Sequence, residues 1–181
     1  MFERGEYIIY GCDGVCRVED ITHLTMSGAN RERLYYVLVP LGAQGGRIYS
    51  PVDNSKVIMR KILTREEAWK LIDEIPDLEQ FWISNEKFRE ESYKNAIKTC
   101  DCRQWIRIIK TLYLRKKDRI AQGKKVTGTD KKYLQMAEEY LFSELSAALG
   151  EEKDSIQNII SQRVEQILAE RKKCFIVKEK A

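Results

Sequence analysis

The spacing of hydrophobic positions changes once along the chain, near Leu63. Before that point, short runs of β-branched and aromatic residues alternate with Gly, Asp and Asn. Tyr7-Ile8-Ile9-Tyr10, Val15 to Leu24, Leu34 to Val39, Arg47 to Ser50 and Lys56 to Arg60 read as five strands. Gly11-Cys12-Asp13-Gly14, Ser27-Gly28-Ala29-Asn30 and Gly42-Ala43-Gln44-Gly45-Gly46 are the turns and loops between them. Short strands separated by turn signals at this spacing predict a small barrel or rolled sheet, not a βαβ fold. Pro51 cannot donate a ladder hydrogen bond, so it marks a strand end or an edge.

After Leu63 the period becomes helical. Thr64-Arg65-Glu66-Glu67 is a capping box, opening a helix that runs to Ile75, before Pro76. Asp77-Leu78-Glu79-Gln80 is expected to start a short helix carrying Phe81 and Trp82, and Ser84 or Asn85 to cap a third. Asp101 caps a helix with Trp105, Ile108, Ile109 and Leu112 on one face, fraying near Gly123. Thr129 or Asp130 caps the next, with Leu134, Ala137, Leu141, Leu145 and Ala148 aligned and Gly150 as its stop. Ile156, Ile160, Val164 and Ile167 stripe a last helix, and the tail after Lys172 is expected to be disordered. Seven of the ten glycines precede residue 47, which leaves the second part free to be helical. The reading is an α+β chain of two modules: a five-stranded β-module over 1–62 and an all-α bundle over 63–181. Stripes on several helices need one another to be buried, so the second module is one bundle.

Length and composition agree: 181 residues, 43% hydrophobic and 33% charged allow one medium or two small domains with a strongly ionic surface. No apolar run approaches the roughly 18–20 residues of a membrane span. No apolar h-region follows Met1, so no signal peptide is expected, and the cytoplasm is the expected location. The net charge of +4 argues nothing alone, but its distribution does. The β-module carries eight Lys/Arg against seven Asp/Glu, residues 64–84 two against six. Lys98 to Lys132 carries twelve against three, a net +9 in 35 residues. Within that stretch Arg103, Arg107 and Lys110 fall at i, i+4, i+7, away from the apolar face. They form either a solvated helix face or a phosphate-tracking stripe.

Recognisable catalytic chemistry is missing. There is no Gly-Lys-Ser/Thr loop end, no Gly-x-Ser-x-Gly elbow, and one histidine, His23. The cysteines Cys12, Cys16, Cys100, Cys102 and Cys174 lack zinc-knuckle spacing and read as reduced, buried or incidental thiols. No metal or other cofactor, no small-molecule substrate and no enzymatic activity is expected.

The opening Phe2-Glu3-Arg4-Gly5-Glu6-Tyr7-Ile8-Ile9-Tyr10-Gly11-Cys12-Asp13-Gly14-Val15 resembles the "F-x-x-G-D-x-V-V-Y-P-x-x-G" start of CarD/CdnL-type bacterial transcription regulators. Transcription-repair coupling factors share this module. Val18-Glu19-Asp20-Ile21, Tyr36-Val37-Leu38 and Arg47-Ile48-Tyr49-Ser50-Pro51-Val52 continue the likeness. In the second module, Thr99-Cys100-Asp101 with Ile108-Ile109-Lys110-Thr111-Leu112-Tyr113 resembles "S-G-D … V-V-R-D-L". Asp130-Lys131-Lys132-Tyr133-Leu134-Gln135-Met136-Ala137 resembles "E-K-K-M-L-x-x-A". Two departures stand out: Gly11 replaces the usual Pro, and Trp82 lies about a helical turn further from Asp101.

The resemblance implies a Tudor-like β-module that docks on the β subunit of RNA polymerase, here through Val37, Arg47, Tyr49 and Pro51. It implies a helical module that stabilises the promoter open complex. Trp82 would enter the minor groove, with Lys87, Arg89 and Lys94 on phosphates and Arg103 and Arg107 from the basic stripe beside them. Without the resemblance, Leu78, Phe81 and Trp82 at i, i+3, i+4 read as core. It also implies nucleoid association through polymerase. The competing expectation is a stand-alone RNA- or ribosome-binding adaptor using the basic stretch 98–132.

Overall fold

The computed structural model describes residues 1–25, 31–41, 46–83 and 85–178, with side chains to Lys173. Five strands and five helices lie among them: β1 Tyr7–Tyr10, β2 Val15–His23, β3 Leu34–Pro40, β4 Ile48–Pro51, β5 Met59–Lys61, then α1 Arg65–Glu74, α2 Arg89–Lys98, α3 Cys102–Ala121, α4 Gly128–Leu149 and α5 Lys153–Lys178. The strands form one antiparallel sheet in the order β4-β3-β2-β1-β5. The sheet is Tudor-like but does not close into a barrel. Among the described residues β4 and β5 are edges, and β5 is only three residues long. Of the run expected over Lys56 to Arg60 only Met59 and Arg60 join the ladder, which continues to Lys61.

Strand alternation decides how the modules join. Ile8 and Tyr10 point to one face of β1 and pack with Cys16, Val18, Tyr36 and Leu38 in the core of the sheet. Ile9, between them, is equally buried but belongs with Val15 to the core of the helical bundle. The β1–β2 hairpin therefore has no solvated face at its centre, and the two modules share an apolar seam. The turn at its end is a 3-10 turn, Gly11–Asp13. Gly11 has φ +47, and a Cβ there would meet Val57 Cγ1 at 2.7 Å. Tyr140 Oη, on α4, donates to Cys12 O at 2.7 Å and fixes the turn against the bundle.

One ion pair locks this seam. Glu144 on α4 has no exposure and Arg60 on β5 meets it with both guanidinium nitrogens, at 2.6 and 2.8 Å. Leu63 N–H donates to the same carboxylate at 3.1 Å and Cys102 Sγ donates at 3.1 Å. Arg60 also donates to Cys100 O at 2.8 Å. Burial opposes the arginine's charge, but hydrogen bonding to Glu144, the Glu144 charge and Cys102 together outweigh it and hold its pKa above the ordinary value. Burial first, and then the Glu144 charge, push the Cys102 thiol up, so it stays a donor.

Most helix ends obey local rules. Thr64 and Glu67 form both halves of the capping box. Asp101 Oδ1 accepts from Arg103 N–H at 2.9 Å. Gly150 closes α4 at φ 69, ψ 31, a left-handed conformation that suits glycine.

Three expectations are corrected, and a fourth, the Asn85 cap, is met at a shorter turn. The helix expected from Asp77 does not form; Ile75–Asp77 is a 3-10 turn and Leu78 is extended, for reasons given below. Asn85 caps a 3-10 turn, Glu86–Phe88, that leads into α2, while Ser84 lies outside the described residues. The cap of α4 is Thr127, which accepts from Asp130 N–H at 3.1 Å, so the helix starts earlier than Thr129 or Asp130 and Asp130 becomes a buried first-turn residue. Finally, α5 continues to Lys178, past Lys172. Arg163 pairs with Asp73 and Arg171 with Asp77, so the helix has partners far beyond its apolar stripe. The turn expected at Ser27 to Asn30 and most of the Gly42 to Gly46 loop lie outside the described residues.

Removing one member of the central pair leaves the other charge buried. Glu144→Ala or Arg60→Ala is expected to lower stability by about 3–5 kcal/mol, whereas Arg60→Met with Glu144→Leu recovers most of it. Urea unfolding followed by circular dichroism reads the difference.

Candidate functional site

The sheet presents one free edge with a mixed surface. Ile48 packs inward on the sheet core, Ser50 is fully buried, and Tyr49 between them is 39% exposed. Val37 lies opposite Tyr49 in the β3–β4 register and is buried beside it. Pro51 ends the strand opposite Tyr35. Arg47 is exposed and its Nε lies 2.6 Å from Glu19 Oε2. Glu19 sits where the β2–β3 register shifts between Val18 and Asp20. Of the four residues expected to face a protein partner, Val37, Tyr49 and Pro51 lie on β3 and β4 and Arg47 immediately precedes β4; Tyr49 and Arg47 are outermost, while Val37 is buried.

The second feature is the segment between α1 and α2. The basic stripe of α3 binds it. Arg103 Nη2 lies 2.8 Å from Glu74 Oε2. Arg107 donates to Gln80 O at 3.4 Å and its guanidinium lies 6.0 Å from the centroid of the Phe81 ring. Lys110 Nζ donates to Ile75 O at 2.9 Å, to Pro76 O at 3.4 Å and to Leu78 O. Its pKa is lowered by burial, partly offset by Asp77. Thr111 Oγ1 accepts from Phe81 N–H at 2.7 Å. Backbone groups that a helix from Asp77 would use internally are therefore taken by α3, and the segment runs extended. Phe81 and Leu78 pack on the bundle core. Trp82, the next residue, is 80% exposed, so the core reading of the Leu78, Phe81, Trp82 spacing holds only for its first two members.

Beyond Trp82 a group of charges ties the start of α2 to α3 and α4. Asp130 is 2% exposed and lies 3.3 Å from Arg89 Nε and 3.8 Å from Arg115 Nε. Glu86 bridges the same two arginines, with Arg115 Nη1 at 2.8 Å and Arg89 Nη1 at 2.9 Å. The hydrogen bond from Arg115 is the largest cause of a lowered Glu86 pKa. Arg89 is thus largely buried and engaged. Lys87 and Lys94 are exposed, and line a groove of about 770 Å³ with Phe88, Lys98, Lys132 and Tyr133, against Glu90 and Glu91.

Of the residues expected on nucleic acid, Trp82, Lys87 and Lys94 are open to solvent. Arg89, Arg103 and Arg107 have partners inside the protein. Sequence reasoning missed Phe88, 59% exposed, and the convergence of Lys98 and Lys132 on the groove. The spacing of Lys87, Lys94 and Lys98, i, i+7, i+11, was the available signal for a shared helical face. Among the described residues there is no cluster of His, Cys, Asp or Glu suited to a metal ion, and no helix long and apolar enough to cross a membrane.

The sheet leaves an edge at β4, and the bundle displays a bare indole at Trp82 and, separately, a groove lined by lysines. Residues 2–63 match the family model for the CarD-like/TRCF RID domain, and residues 77–161 match that for the CarD C-terminal domain. The chain belongs to the CarD-like family and is a transcription-related regulator that interacts with RNA polymerase. No curated protein matches it.

Two tryptophans, Trp105 and Trp82, separate packing from exposure. Trp105 is 1% exposed and its Nε1 donates to Ile97 O at 3.2 Å; Trp105→Ala is expected to cost about 3–5 kcal/mol. Trp82→Ala is expected to stay within about 0.5 kcal/mol of wild type. Thermal unfolding of the two variants measures both. In acrylamide quenching, loss of Trp82 removes the most accessible emission.

Proposed function

We propose that the chain docks through β3 and β4 on the β subunit of RNA polymerase and stabilises the promoter open complex by minor-groove contacts of its helical module. The observation that carries this reading is Trp82: an indole 80% exposed, in a segment immobilised by four side chains of α3. A mobile tail with a tryptophan would pay for ordering on contact; this one has little left to lose.

The magnitudes are compatible. Wedging an apolar side chain into a base step costs on the order of a few kcal/mol. Burying a mostly exposed tryptophan returns roughly 4 kcal/mol at 25 cal/mol per Å². Lys87 and Lys94 supply phosphate contacts, and Arg89, Arg103 and Arg107 add positive potential from their engaged positions. Such contacts are weak and sequence-blind alone, with a salt slope of about −0.9 per phosphate neutralised. Polymerase supplies the place, because tethering raises the effective concentration of DNA to the millimolar order. The wedge shifts the equilibrium only by its better fit to melted than to closed promoter DNA. In this reading the protein works in the cytoplasm, on the nucleoid.

The alternative adaptor reading draws on the basic stretch 98–132, but Arg103, Arg107, Lys110 and Arg115 of that stretch are bound within the protein. This favours the polymerase reading.

Two measurements test the halves separately. Trp82→Ala is expected to leave polymerase affinity unchanged and to shorten open-complex lifetime about tenfold or more, read by competitor challenge on a promoter; equal lifetimes remove the wedge. Tyr49→Ala and Arg47→Glu in the full chain are expected to weaken binding to the polymerase β subunit at least tenfold in titration. Unchanged curves place the docking surface elsewhere.

A further inference from the structure

Two cysteines lie close together at the module seam, and neither surface proposed above uses them. Cys12 lies in the Gly11–Asp13 turn and is exposed; Cys100 lies two residues past the end of α2 and is 1% exposed. Cys100 Sγ lies 3.5 Å from Gly11 O. That oxygen and Cys12 Cα sit on the same side of one trans peptide, about 2.8 Å apart by standard bond lengths. Cys100 sulfur is therefore within about 6 Å of Cys12 Cα. A cysteine sulfur is itself about 2.8 Å from its own Cα, so the Cys100 sulfur lies within reach of the Cys12 side chain, given rotation about χ1 and a small shift of the turn.

The positions are held, not accidental. Tyr140 Oη fixes the Cys12 carbonyl, and Gly11 admits no side chain against Val57. Cys100 has φ 54, the only positive value among the described non-glycine residues, and this left-handed turn sets its side chain towards Gly11. Cys102, two residues on, turns the other way to Glu144. The nearness of the Cys12 thiol also contributes to raising the Cys100 pKa, after burial.

We propose that Cys12 and Cys100 form an oxidation site, closed to a disulfide by a hydroperoxide, that ties the β1–β2 turn to the end of α2. In the first step the exposed Cys12 sulfur attacks hydrogen peroxide. The O–O bond breaks, Cys12–SH and H₂O₂ become Cys12–SOH and water, and sulfur is oxidised as peroxide is reduced. In the second, Cys100 sulfur attacks the sulfenic sulfur. The S–S bond forms, the S–OH bond breaks, and the departing hydroxide leaves as water with the Cys100 proton. Burial keeps Cys100 from meeting the peroxide first and reserves it for this resolving role. The bond joins residues 88 positions apart in the chain and restrains exactly the seam that Ile9, Arg60 and Glu144 already close.

The test uses the full-length protein and hydrogen peroxide, with alkylation and non-reducing digestion before mass spectrometry. The expected result is an intact mass lower by two hydrogen atoms and a cross-linked pair of peptides holding Cys12 and Cys100. Dithiothreitol reverses both. Cys12→Ser and Cys100→Ser each abolish the cross-link, while Cys16→Ser and Cys174→Ser keep it. The oxidised protein is expected to melt on the order of 10 °C above the reduced one. Sulfinic acid on Cys12 without a cross-link, a bridge from Cys12 to Cys16, Cys102 or Cys174, or a dimer through Cys12 each overturn the proposal. If the serine variants unfold, the wild-type cross-link map alone decides.

Discussion

A single carboxylate holds the molecule together. Glu144 lies at the centre of the chain's two halves, fully desolvated, and receives Arg60 from the sheet, Leu63 N–H from the connection and Cys102 from the start of α3. A buried ion pair of this kind contributes less net stability than its geometry suggests, because both charges lost their water. What it contributes is orientation. The placement of the sheet on the bundle gives that carboxylate all its donors, and Ile9 and Val15 fill the bundle core from the sheet side. The β4 edge and the segment that carries Trp82 are related by fixed geometry because of this seam.

The same economy governs the segment that carries Trp82. Lysines and arginines on a helix usually serve solvent. Here Arg103, Arg107 and Lys110 are spent on carbonyls, a carboxylate and a ring of residues 74–81. From the other side, Arg163 and Arg171 of α5 pair with Asp73 and Asp77, and hydrogen bonding to those arginines lowers both carboxyl pKa values. The segment is extended because its backbone is satisfied by side chains of α3, and an extended segment can bury Phe81 while exposing its neighbour.

Much of this was legible in the sequence. The change of period at Leu63, the capping box at Thr64, the Asp101 cap and the Gly150 stop are local signals, and local physics decides them. The family likeness was carried by the order of short motifs, which is a property of the chain alone. The Asp77 helix was misread because its local propensity lost to Lys110, 32 residues away from Leu78. The basic stripe of α3 was read as outward-facing because charge periodicity does not reveal what lies opposite. Thr127 was overlooked as a cap because Val126 to Thr129 offers two threonines, and only the burial of Asp130 between Arg89 and Arg115 chooses between them. Trp82 and Phe81 share one apolar pattern, and which of them faces the core depends on the backbone path.

β4 is four residues long and ends in a proline. A visiting strand aligned there finds a ladder too brief for tenacious pairing, and Pro51 withholds one donor. In the proposed docking, Tyr49 and Arg47 would then supply selectivity through side chains. The same brevity spares the free protein from stacking edge to edge with its own kind.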